Sequence, residues 1–322
     1  MDAQPAVHEI GVLREIAGYD VPEGARSGHV DTADGLKIRY AVWPRRTRSR
    51  KGTVVVFGGR RDFIELYFET VTDLLDRGFD VAAIDWRGQG GSDRLLSNPN
   101  KGHVEDFRHY ARDLAAFEKA VLLADCPPPY FALAHSMGGA ILLHAALKRS
   151  CCFDRMVLVG PMVALGSTHN WSIVIPMVHA MTSIGLGGIQ LPGKLTMAFP
   201  GNPLTSDPMR FDQTLDLREA FPDLSIGMPT ASWLSAASRA MADFDDPAFA
   251  ANVRVPTLLV AGALDTIVDN QAIEKLGINM RVGRHLLLPG ARHEILRERD
   301  QVRTQFWAAF DAFVHGADEA AA

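Results

Sequence analysis

The sequence has few of the features that several classes of protein require. It holds three cysteines in 322 residues, two of them adjacent, which is too few for a disulfide framework and fits a reducing compartment. A net charge of −5 provides no attraction to polyanions and argues against a nucleic-acid partner. No apolar run is long enough to cross a bilayer, and residues 1–11 do not have the pattern of a secretory signal. We expect a cytoplasmic protein whose contact with the inner face of a membrane is at most peripheral.

Metal-site signatures are also missing from the sequence. Eleven histidines are present, but His293-Glu294 lacks the second histidine of a zinc-binding helix, and no cysteine pair has ligand spacing. We expect neither a metal ion nor a cofactor.

From about Gly35 the chain repeats short apolar runs that end in glycine-containing turns and continue as helical patterns. This alternation predicts an α/β fold with a mostly parallel central sheet flanked by helices, its strands buried on both faces. The predicted strands are 36–43, 53–57, 80–84, 130–135, 156–160, 257–261 and 285–288, and the predicted helices are 65–76, 104–124, 137–149, 270–276 and 298–314. In the last helix, Phe306, Phe310 and Phe313 fall on one face and are predicted core residues.

One segment, residues 161–245, interrupts this alternation. It holds many of the prolines and glycines and shows no strand period. An insertion of this size in an α/β sheet is typically a functional lid, and a packing appendage is the other interpretation. The predicted organisation is an N-terminal extension (1–34), a first core part (35–160), the lid (161–245), a second core part (246–315) and a frayed tail (316–322).

The stretch YFALAHSMGGAILL, residues 130–143, joins an apolar strand directly to a helix of small residues through Ser136. A serine on such a turn is strained, with its hydroxyl exposed, and the residues two before and two after it must be small. Gly138 and Gly139 meet this requirement, whereas Ala134 adds a methyl group that the turn must accommodate. Serine is also a common helix cap, but the flanking strand and helix favour Ser136 as a nucleophile.

A serine nucleophile requires a base, and the base requires a partner that orients it. Asp265 follows a late strand, at the edge where sites in open parallel sheets form, and His293 lies on the loop before the last helix. The resulting order of serine, aspartate and histidine differs from the orders in the two main serine-protease folds. Asp269 is the alternative acid on the same loop, and Glu294 is a candidate cap of the final helix.

Attack on an ester creates an oxyanion, which needs preorganised N–H donors. We expect one donor to be the backbone N–H of Met137, at the start of the helix after the nucleophile. The second is expected on the glycine-containing loop after strand 53–57, where we favour Phe63 and keep Arg60 as the alternative. His135, beside the nucleophile, is predicted to pack or to form a wall of the substrate site.

Several stretches carry a family resemblance: FIELYFETV, IDWRGQGGSDR at 84–94, LAHSMGGAI at 133–141, PTLLVAGALDTIVDN at 256–270 and GARHEILRERD at 290–300. Over about residues 35–315 the chain resembles the α/β-hydrolase superfamily, and more closely its bacterial lysophospholipase and monoacylglycerol-lipase-like branch. The resemblance places the acid on Asp265 and implies an α/β-hydrolase fold that cleaves a single fatty-acyl ester. Phe57-Gly58 replaces the usual His-Gly of the oxyanion loop, and the glycine-rich loop at 85–92 resembles a structural loop to which we assign no chemistry.

The resemblance implies that the lid forms an apolar channel for a long acyl chain. Each methylene group buried there contributes about 0.8 kcal/mol to the binding free energy. The side chains expected to line the channel, unless they only pack the lid onto the body, are Ile173, Ile175, Met177, Met181 and Leu186. The lid cations able to meet a phosphate are Lys194, Arg210 and Arg218, although a solvated position is the simpler interpretation of each.

The sequence therefore predicts a serine esterase whose substrate is a small acyl ester, a lysophospholipid or a monoacylglycerol. A short-chain esterase, an acyltransferase or an aminopeptidase would use the same triad. A protein of hydrolase fold that binds without catalysis is a further alternative, and the presence of all three triad residue types argues against it.

Overall fold

The computed structural model describes residues 8–10, 13–44, 51–148, 151–166, 170–193 and 198–315. The predicted tail 316–322 and the lid cation Lys194 therefore lie outside the described residues.

The strands bear out the predicted alternation. They are β1 His8–Ile10, β2 Leu13–Glu15, β3 Arg26–Asp31, β4 Lys37–Trp43, β5 Thr53–Phe57, β6 Asp80–Ile84, β7 Tyr130–His135, β8 Arg155–Val159, β9 Thr257–Gly262 and β10 Gly283–Leu288. β1 and β2 form a separate antiparallel pair, and the others form one sheet in the order β10-β9-β8-β7-β5-β6-β4-β3. Each predicted strand is present within two residues of its predicted bounds, and the mostly parallel sheet is confirmed.

Two strand pairs at one edge of the sheet are antiparallel, β3 with β4 and β4 with β6, whereas the remaining neighbours are parallel. The predicted strand 36–43 is β4, so it does not share the direction of the other predicted strands. β3 was not predicted, because most of its residues are exposed or half-buried and no apolar alternation marks it.

The helices are α1 Phe68–Asp76, α2 Tyr110–Phe117, α3 Leu123–Asp125, α4 Met137–Ala145, α5 Trp171–Ser183, α6 Pro208–Ala220, α7 Ala231–Ala242, α8 Pro247–Asn252, α9 Asn270–Asn279 and α10 Asp300–His315. Short 3-10 turns lie at Ile64–Tyr67, Phe107–His109, Asp243–Asp245 and Ile295–Arg297, and a π-helical turn lies at Glu118–Leu122. In the described ranges, no helix has both the length and the apolar character needed to cross a bilayer.

The prediction of one helix over 104–124 was wrong in its start and its continuity. The helical segment begins only after Asp106, whose carboxylate accepts a hydrogen bond from the Arg108 N–H at 2.8 Å and so caps the first turn. The π-helical turn at Glu118–Leu122 then separates α2 from α3.

Helices cover both faces of the sheet. Alternate residues of β5 enter two different apolar cores, one covered by α1 and α10 and the other by α2, α4, α7 and α9. Phe306 and Phe310 of α10 are fully buried and Phe313 packs half-buried beside them. The side of the helix that the aromatic spacing predicted to be core is therefore the side that faces the sheet.

Residues 161–245, which we call the cap segment, include the helices α5, α6 and α7 in their described part, where the sequence showed no regular period. α6 and α7 begin at Asp207 and Thr230, whose side chains accept hydrogen bonds from the N–H groups of Arg210 and Trp233. α5 packs against α7. Capping interactions therefore mark the starts of α6 and α7, whereas α5 begins after Asn170 without a side-chain cap.

A buried ion network ties the edge of the sheet to the loops around the site. Arg39 of β4 is 2% exposed, and its guanidinium bonds Glu65 at 2.7 Å and Asp85 at 2.6 Å. Burial opposes the charge of Arg39, but the two carboxylates outweigh burial and raise its pKa. Asp85 also accepts hydrogen bonds from the N–H groups of Ile64 and Gly91. The network therefore fixes both the 3-10 turn at Ile64–Tyr67 and the glycine-rich loop at 85–92.

Replacing Arg39 with methionine should lower the free energy of unfolding by about 3–5 kcal/mol, because Glu65 and Asp85 would stay buried without their counter-ion. Urea unfolding at pH 7 measures this change. Lys37→Met is the matched control on the same strand, since Lys37 pairs with Asp31 in solvent and its removal should change stability little. Equal losses in the two variants would contradict the role given to the buried network.

Candidate active site

Ser136 occupies a strained turn between the end of β7 and the start of α4. Its φ of 49° and ψ of −113° are unfavourable for a residue with a side chain. A Cβ at Gly138 would lie 2.7 Å from the Gly58 carbonyl oxygen, and one at Gly139 would lie 2.8 Å from the Pro161 Cβ. Larger residues at these two positions would therefore clash, as the sequence pattern predicted, while Ala134 is accommodated fully buried.

The structure brings Ser136, His293 and Asp265 together. The His293 Nε2 lies 3.0 Å from the Ser136 Oγ, and the His293 Nδ1 lies 2.7 Å from the Asp265 Oδ2. These contacts fit the tautomer in which Nδ1–H donates to Asp265 and Nε2 accepts the serine proton. All three residues are at most 9% exposed. The geometry suits transfer of a proton from the serine hydroxyl to the imidazole.

Asp265 and its rival Asp269 have different partners. The Asp265 Oδ1 accepts hydrogen bonds from the N–H groups of Ile267 and Val268 at 2.8 and 3.2 Å. Burial alone would raise the pKa of Asp265, but the charge of His293 and these hydrogen bonds hold it below its ordinary value. Asp269 instead caps α9 by accepting hydrogen bonds from the N–H groups that open the helix. Asp265 therefore contacts the imidazole of His293, whereas Asp269 caps the N-terminus of α9.

Glu294 does not have the helix-capping contact suggested for it. Its side chain makes no cap hydrogen bond to the 3-10 turn Ile295–Arg297, and α10 begins only at Asp300. The carboxylate lies 3.6 Å from the Arg297 guanidinium, so its main contact is with a cation.

The loop after β5 reaches the nucleophile through Gly59. A Cβ at this position would lie 2.9 Å from the His135 Nδ1 and 3.1 Å from the Ser136 Cβ, so a larger residue would force its neighbours to shift. The Gly59 N–H donates to the Asp62 Oδ2 at 2.7 Å, and Arg60 is the next residue in the chain. Phe63 lies further along, where its side chain is buried in the core covered by α1.

Gln89, on the glycine-rich loop to which the sequence analysis assigned no chemistry, holds this loop in place. Its side-chain amide donates to the carbonyl oxygens of Gly59 and Asp62 at 2.7 and 3.0 Å and accepts from the Arg61 N–H at 3.3 Å. Arg61 has a φ of 70°, in the left-handed region. The hydrogen bonds of the Gln89 side chain therefore help to maintain a strained loop near the nucleophile.

His135 belongs to a second buried network behind Ser136. Its Nδ1 lies 3.2 Å from the Asp62 Oδ2, and its Nε2 lies 3.3 Å from the His293 carbonyl oxygen. Tyr67 donates its hydroxyl to the same Asp62 oxygen at 2.7 Å. Burial lowers the pKa of His135, but the hydrogen bond and charge of Asp62 outweigh it, so the net pKa is raised. Because both ring nitrogens face acceptors, the doubly protonated imidazole satisfies both.

Three arginines lie on or near the loop after β5, and we call them the arginine cluster: Arg60, Arg61 and Arg218. The Arg60 Nη2 donates to the Gly227 carbonyl at 2.5 Å, and its guanidinium lies 5.1 Å from the centre of the Trp233 ring. The Arg61 Nε donates to the Ile226 carbonyl at 3.0 Å. Arg218 of α6 comes no closer to a carboxylate of the described residues than 4.0 Å, from Asp62. The arginine cluster therefore lies between the loop after β5 and the cap segment.

The other predicted lid residues differ in their exposure and in their charge pairing. Arg210 is paired with Glu69, Asp207 and Asp300, so its charge is already balanced. Ile175 and Met181 pack half-buried on the core, whereas the side chains of Ile173, Met177 and Leu186 are exposed.

Ser136, His293 and Asp265 have little exposed surface. A cavity of about 10 Å³ lies near them and is too small for an acyl chain. Its lining residues all lie outside the cap segment: Asp62, Leu66, Tyr67, His135, Glu294, Leu296 and Arg297. The larger clefts described on the surface do not include Ser136, Asp265 or His293. Within the described residues no group of three or more His, Cys, Asp or Glu side chains is arranged as a metal site.

The raised pKa of His135 predicts a pH-dependent contribution to stability. The stabilisation by charged His135 is complete below its unfolded pKa of about 6.5 and is lost as the pH rises through the higher folded value. The difference in Tm between the parent and His135→Gln should therefore be larger at pH 5.5 than at pH 8.5.

His285 of β10 provides a control of opposite sign. Burial lowers its pKa, so the parent should lose stability relative to His285→Gln as the pH falls. A Tm difference for His135→Gln that does not change with pH would contradict a charged His135.

Comparisons with known proteins agree with this fold and motif order. The family described as serine aminopeptidase, S33, matches residues 48–300. Lysophospholipase L2 of Escherichia coli strain K12 is 31% identical over 294 residues, covering 84% of this chain and 82% of that protein. Monoglyceride lipase of Rattus norvegicus is 25% identical over 245 residues, covering 76% and 74%.

A solved structure supports the same fold. A soluble variant of monoglyceride lipase from Saccharomyces cerevisiae superposes with a TM-score of 0.74 at 20% identity, covering 93% of this chain and 99% of that one. The predicted resemblance to the lysophospholipase and monoacylglycerol-lipase branch of the α/β-hydrolases is thereby confirmed. Because the family match spans most of the chain, this protein belongs to the serine aminopeptidase S33 family of α/β-hydrolases.

Proposed function

We propose that this protein is a carboxylic-ester hydrolase that cleaves the fatty-acyl ester of a lysophospholipid or monoacylglycerol through an acyl-enzyme. The observation that carries the proposal is the continuous hydrogen-bonded series from Ser136 through His293 to Asp265. Relatives named lysophospholipase L2 and monoglyceride lipase support the substrate class.

In the first half of the reaction, the Ser136 Oγ attacks the ester carbonyl carbon while the His293 Nε2 takes the hydroxyl proton. Asp265 stabilises the resulting imidazolium. Collapse of the tetrahedral intermediate breaks the bond to the glycerol oxygen, which receives the proton from His293 and leaves as the alcohol.

In the second half, His293 takes a proton from a water molecule as the water oxygen attacks the acyl-enzyme carbonyl. Collapse of the second intermediate returns this proton to the Ser136 Oγ and releases the fatty acid. The cycle consumes one water and restores the enzyme, so no cofactor takes part in the balance.

The oxyanion donors in this proposal are the N–H groups of Met137 and Arg60. Met137 opens α4, where the first N–H groups have no intrahelical acceptor. Arg60 replaces Phe63 as the favoured second donor because Gly59, directly before it, is in contact with Ser136. Two fixed N–H groups would stabilise the developing negative charge without reorganisation.

We assign the cap segment, residues 161–245, the role of a lid over the acyl chain. Its exposed apolar residues Ile173, Met177 and Leu186 lie on or next to α5, where peripheral contact with a lipid surface would bury them. Ile175 and Met181, which face the core, would line the channel once the lid moves, with His135 as part of the site wall.

An aminopeptidase, the activity for which the family is named, is less compatible with this site. Such an enzyme must bind a protonated α-amino group close to its nucleophile. The arginine cluster places positive charge there instead, and like charges in a partly buried site repel. The surroundings of Ser136 therefore favour an ester over a peptide with a free N-terminus.

Ser136→Ala should lower kcat for a long-chain p-nitrophenyl ester by several orders of magnitude, because no other group would form the acyl-enzyme. Circular dichroism should remain that of the parent. A fluorophosphonate probe should label the parent but not the variant, since the probe reacts only with an activated serine. A folded parent that resists the probe would instead support a binding protein without catalysis.

The lipid assignment is tested by the acyl-chain profile of the same assay. Hydrolysis confined to acetyl and butyryl esters would contradict it and favour a short-chain esterase. Transfer of the acyl group to an added alcohol in preference to water would favour an acyltransferase.

Asp265→Asn should lower kcat on the order of 10⁴-fold, because an amide can neither fix the imidazole tautomer nor stabilise the imidazolium. Asp269→Asn is the matched control, since asparagine caps a helix about as well as aspartate and α9 should persist. Steady-state kinetics on monoolein compares the two. A larger loss in Asp269→Asn would transfer the role of the acid to Asp269.

A further inference from the structure

We propose that the arginine cluster (Arg60, Arg61 and Arg218) binds the phosphodiester group of a lysophospholipid. This inference rests on the proposed esterase function and selects between its two substrate classes.

The arginine cluster carries more positive charge than its surroundings neutralise. Among the described residues, no carboxylate oxygen forms an ion pair with Arg60 or Arg61, and the contact of Arg218 with Asp62 is 4.0 Å long. Asp62 is already engaged by the Gly59 N–H, the Tyr67 hydroxyl and His135. Glu294 also attracts Arg61 and Arg218, but its ion pair is with Arg297, at 3.6 Å. The three guanidinium groups of the cluster therefore lie near two carboxylates, each of which already has another partner.

Two arginines of the cluster also have hydrogen-bond donors that are not used. The Nε atoms of Arg60 and Arg218 are buried and have no partner in the described part of the chain. Burial, followed by repulsion from its two arginine neighbours, lowers the pKa of Arg60 to about 9. Burial likewise lowers the pKa of Arg61 to about 10, with repulsion from Arg218 as a further cause. Although these two Nε atoms are buried, the three arginines are only half-buried, and a cation partly removed from water is normally paired. The cluster therefore presents positive charge and hydrogen-bond donors that suit an anion.

The head groups of the two candidate substrates differ in charge. Arginine presents a planar fork of donors that matches phosphate oxygens, and hydrogen bonds between two charged groups are the strong ones. The head group of a lysophospholipid carries such a phosphate, whereas that of a monoacylglycerol is neutral and would leave the cluster uncompensated.

Two arginines of the cluster also lie close to the nucleophile. Arg60 and Arg61 directly follow Gly59, which contacts Ser136. In a lysophospholipid only the glycerol carbons separate the phosphate from the ester oxygen that leaves. A phosphate on the cluster would therefore keep the scissile ester near the Ser136 Oγ, which is the orientation that catalysis requires.

A purely structural role is the competing interpretation. Arg60 and Arg61 each donate to a cap-segment carbonyl, those of Gly227 and Ile226, and they would then serve only to hold the cap in place. A neutral carbonyl does not neutralise a cation, and loss of a cap contact would affect both substrates alike. Substrate selectivity therefore separates the two interpretations.

The test uses Arg61→Met and Arg218→Met, which leave both proposed oxyanion N–H groups in place. The kcat/KM for 1-oleoyl lysophosphatidylglycerol and for 1-monooleoylglycerol is measured in the same detergent micelles. The ratio of the first to the second should fall about tenfold to a hundredfold in each variant, as expected for a lost charged hydrogen bond. Arg108→Met is the control, because Arg108 is 90% exposed and paired with Asp106, and its ratio should equal that of the parent.

A second measurement does not depend on the folding of any variant. Glycerophosphoglycerol, which has the head group without the acyl chain, should inhibit hydrolysis of monooleoylglycerol by the parent competitively, and glycerol should not. Absence of this inhibition, or equal losses on the two lipids in both arginine variants, would overturn the proposed phosphate subsite. Activity on monooleoylglycerol that persists in Ser136→Ala would overturn the esterase mechanism instead, so the two failures are distinguishable.

Discussion

The left-handed conformation of Ser136 is the constraint on which the rest of the site depends. A non-glycine residue with these angles costs on the order of 1–3 kcal/mol, so the surrounding structure must hold it in place. The Ser136 N–H donates to the Val159 carbonyl of β8, and the Ser136 carbonyl accepts from the Met162 N–H, both at 3.0 Å. The strained turn is thus held by the adjacent parallel strand, and α4 can begin directly at the nucleophile.

The same turn is connected to the distant edge of the sheet through buried polar contacts. Arg39 donates to the Asp85 carboxylate, and this carboxylate accepts hydrogen bonds from the N–H groups of Ile64 and Gly91. Gln89 then holds the Gly59 carbonyl, and Gly59 is in contact with Ser136. The glycine-rich loop at 85–92 is therefore structural in what it contacts, but its effect is to position the backbone that we propose binds the oxyanion.

The sequence predicted the site residues that follow the carboxyl ends of parallel strands. Such strands end at the same edge of a sheet, which brings the loops after them together. Ser136, Asp265 and His293 were found in this way. Asp62 and Gln89 were missed, since their partners lie across loops and no periodicity reports such contacts. The cap helices were missed for a related reason: α5 contains Pro176 and is apolar on most of its surface, and α6 and α7 are marked by the single capping residues Asp207 and Thr230.

Under our proposal, movement of the cap segment and the charge of the arginine cluster are connected. The cavity at His135 and Glu294 has a volume of about 10 Å³, whereas ligand pockets usually measure at least about 300 Å³, and we propose that the cap segment moves to admit the substrate. Arg60 and Arg61 donate hydrogen bonds to the carbonyls of Gly227 and Ile226 in the cap segment. A phosphate offers the same two guanidiniums a charged acceptor in place of a neutral one. Under our proposal, head-group binding would therefore weaken the contacts that keep the cap closed, which couples recognition of the substrate to access for its acyl chain.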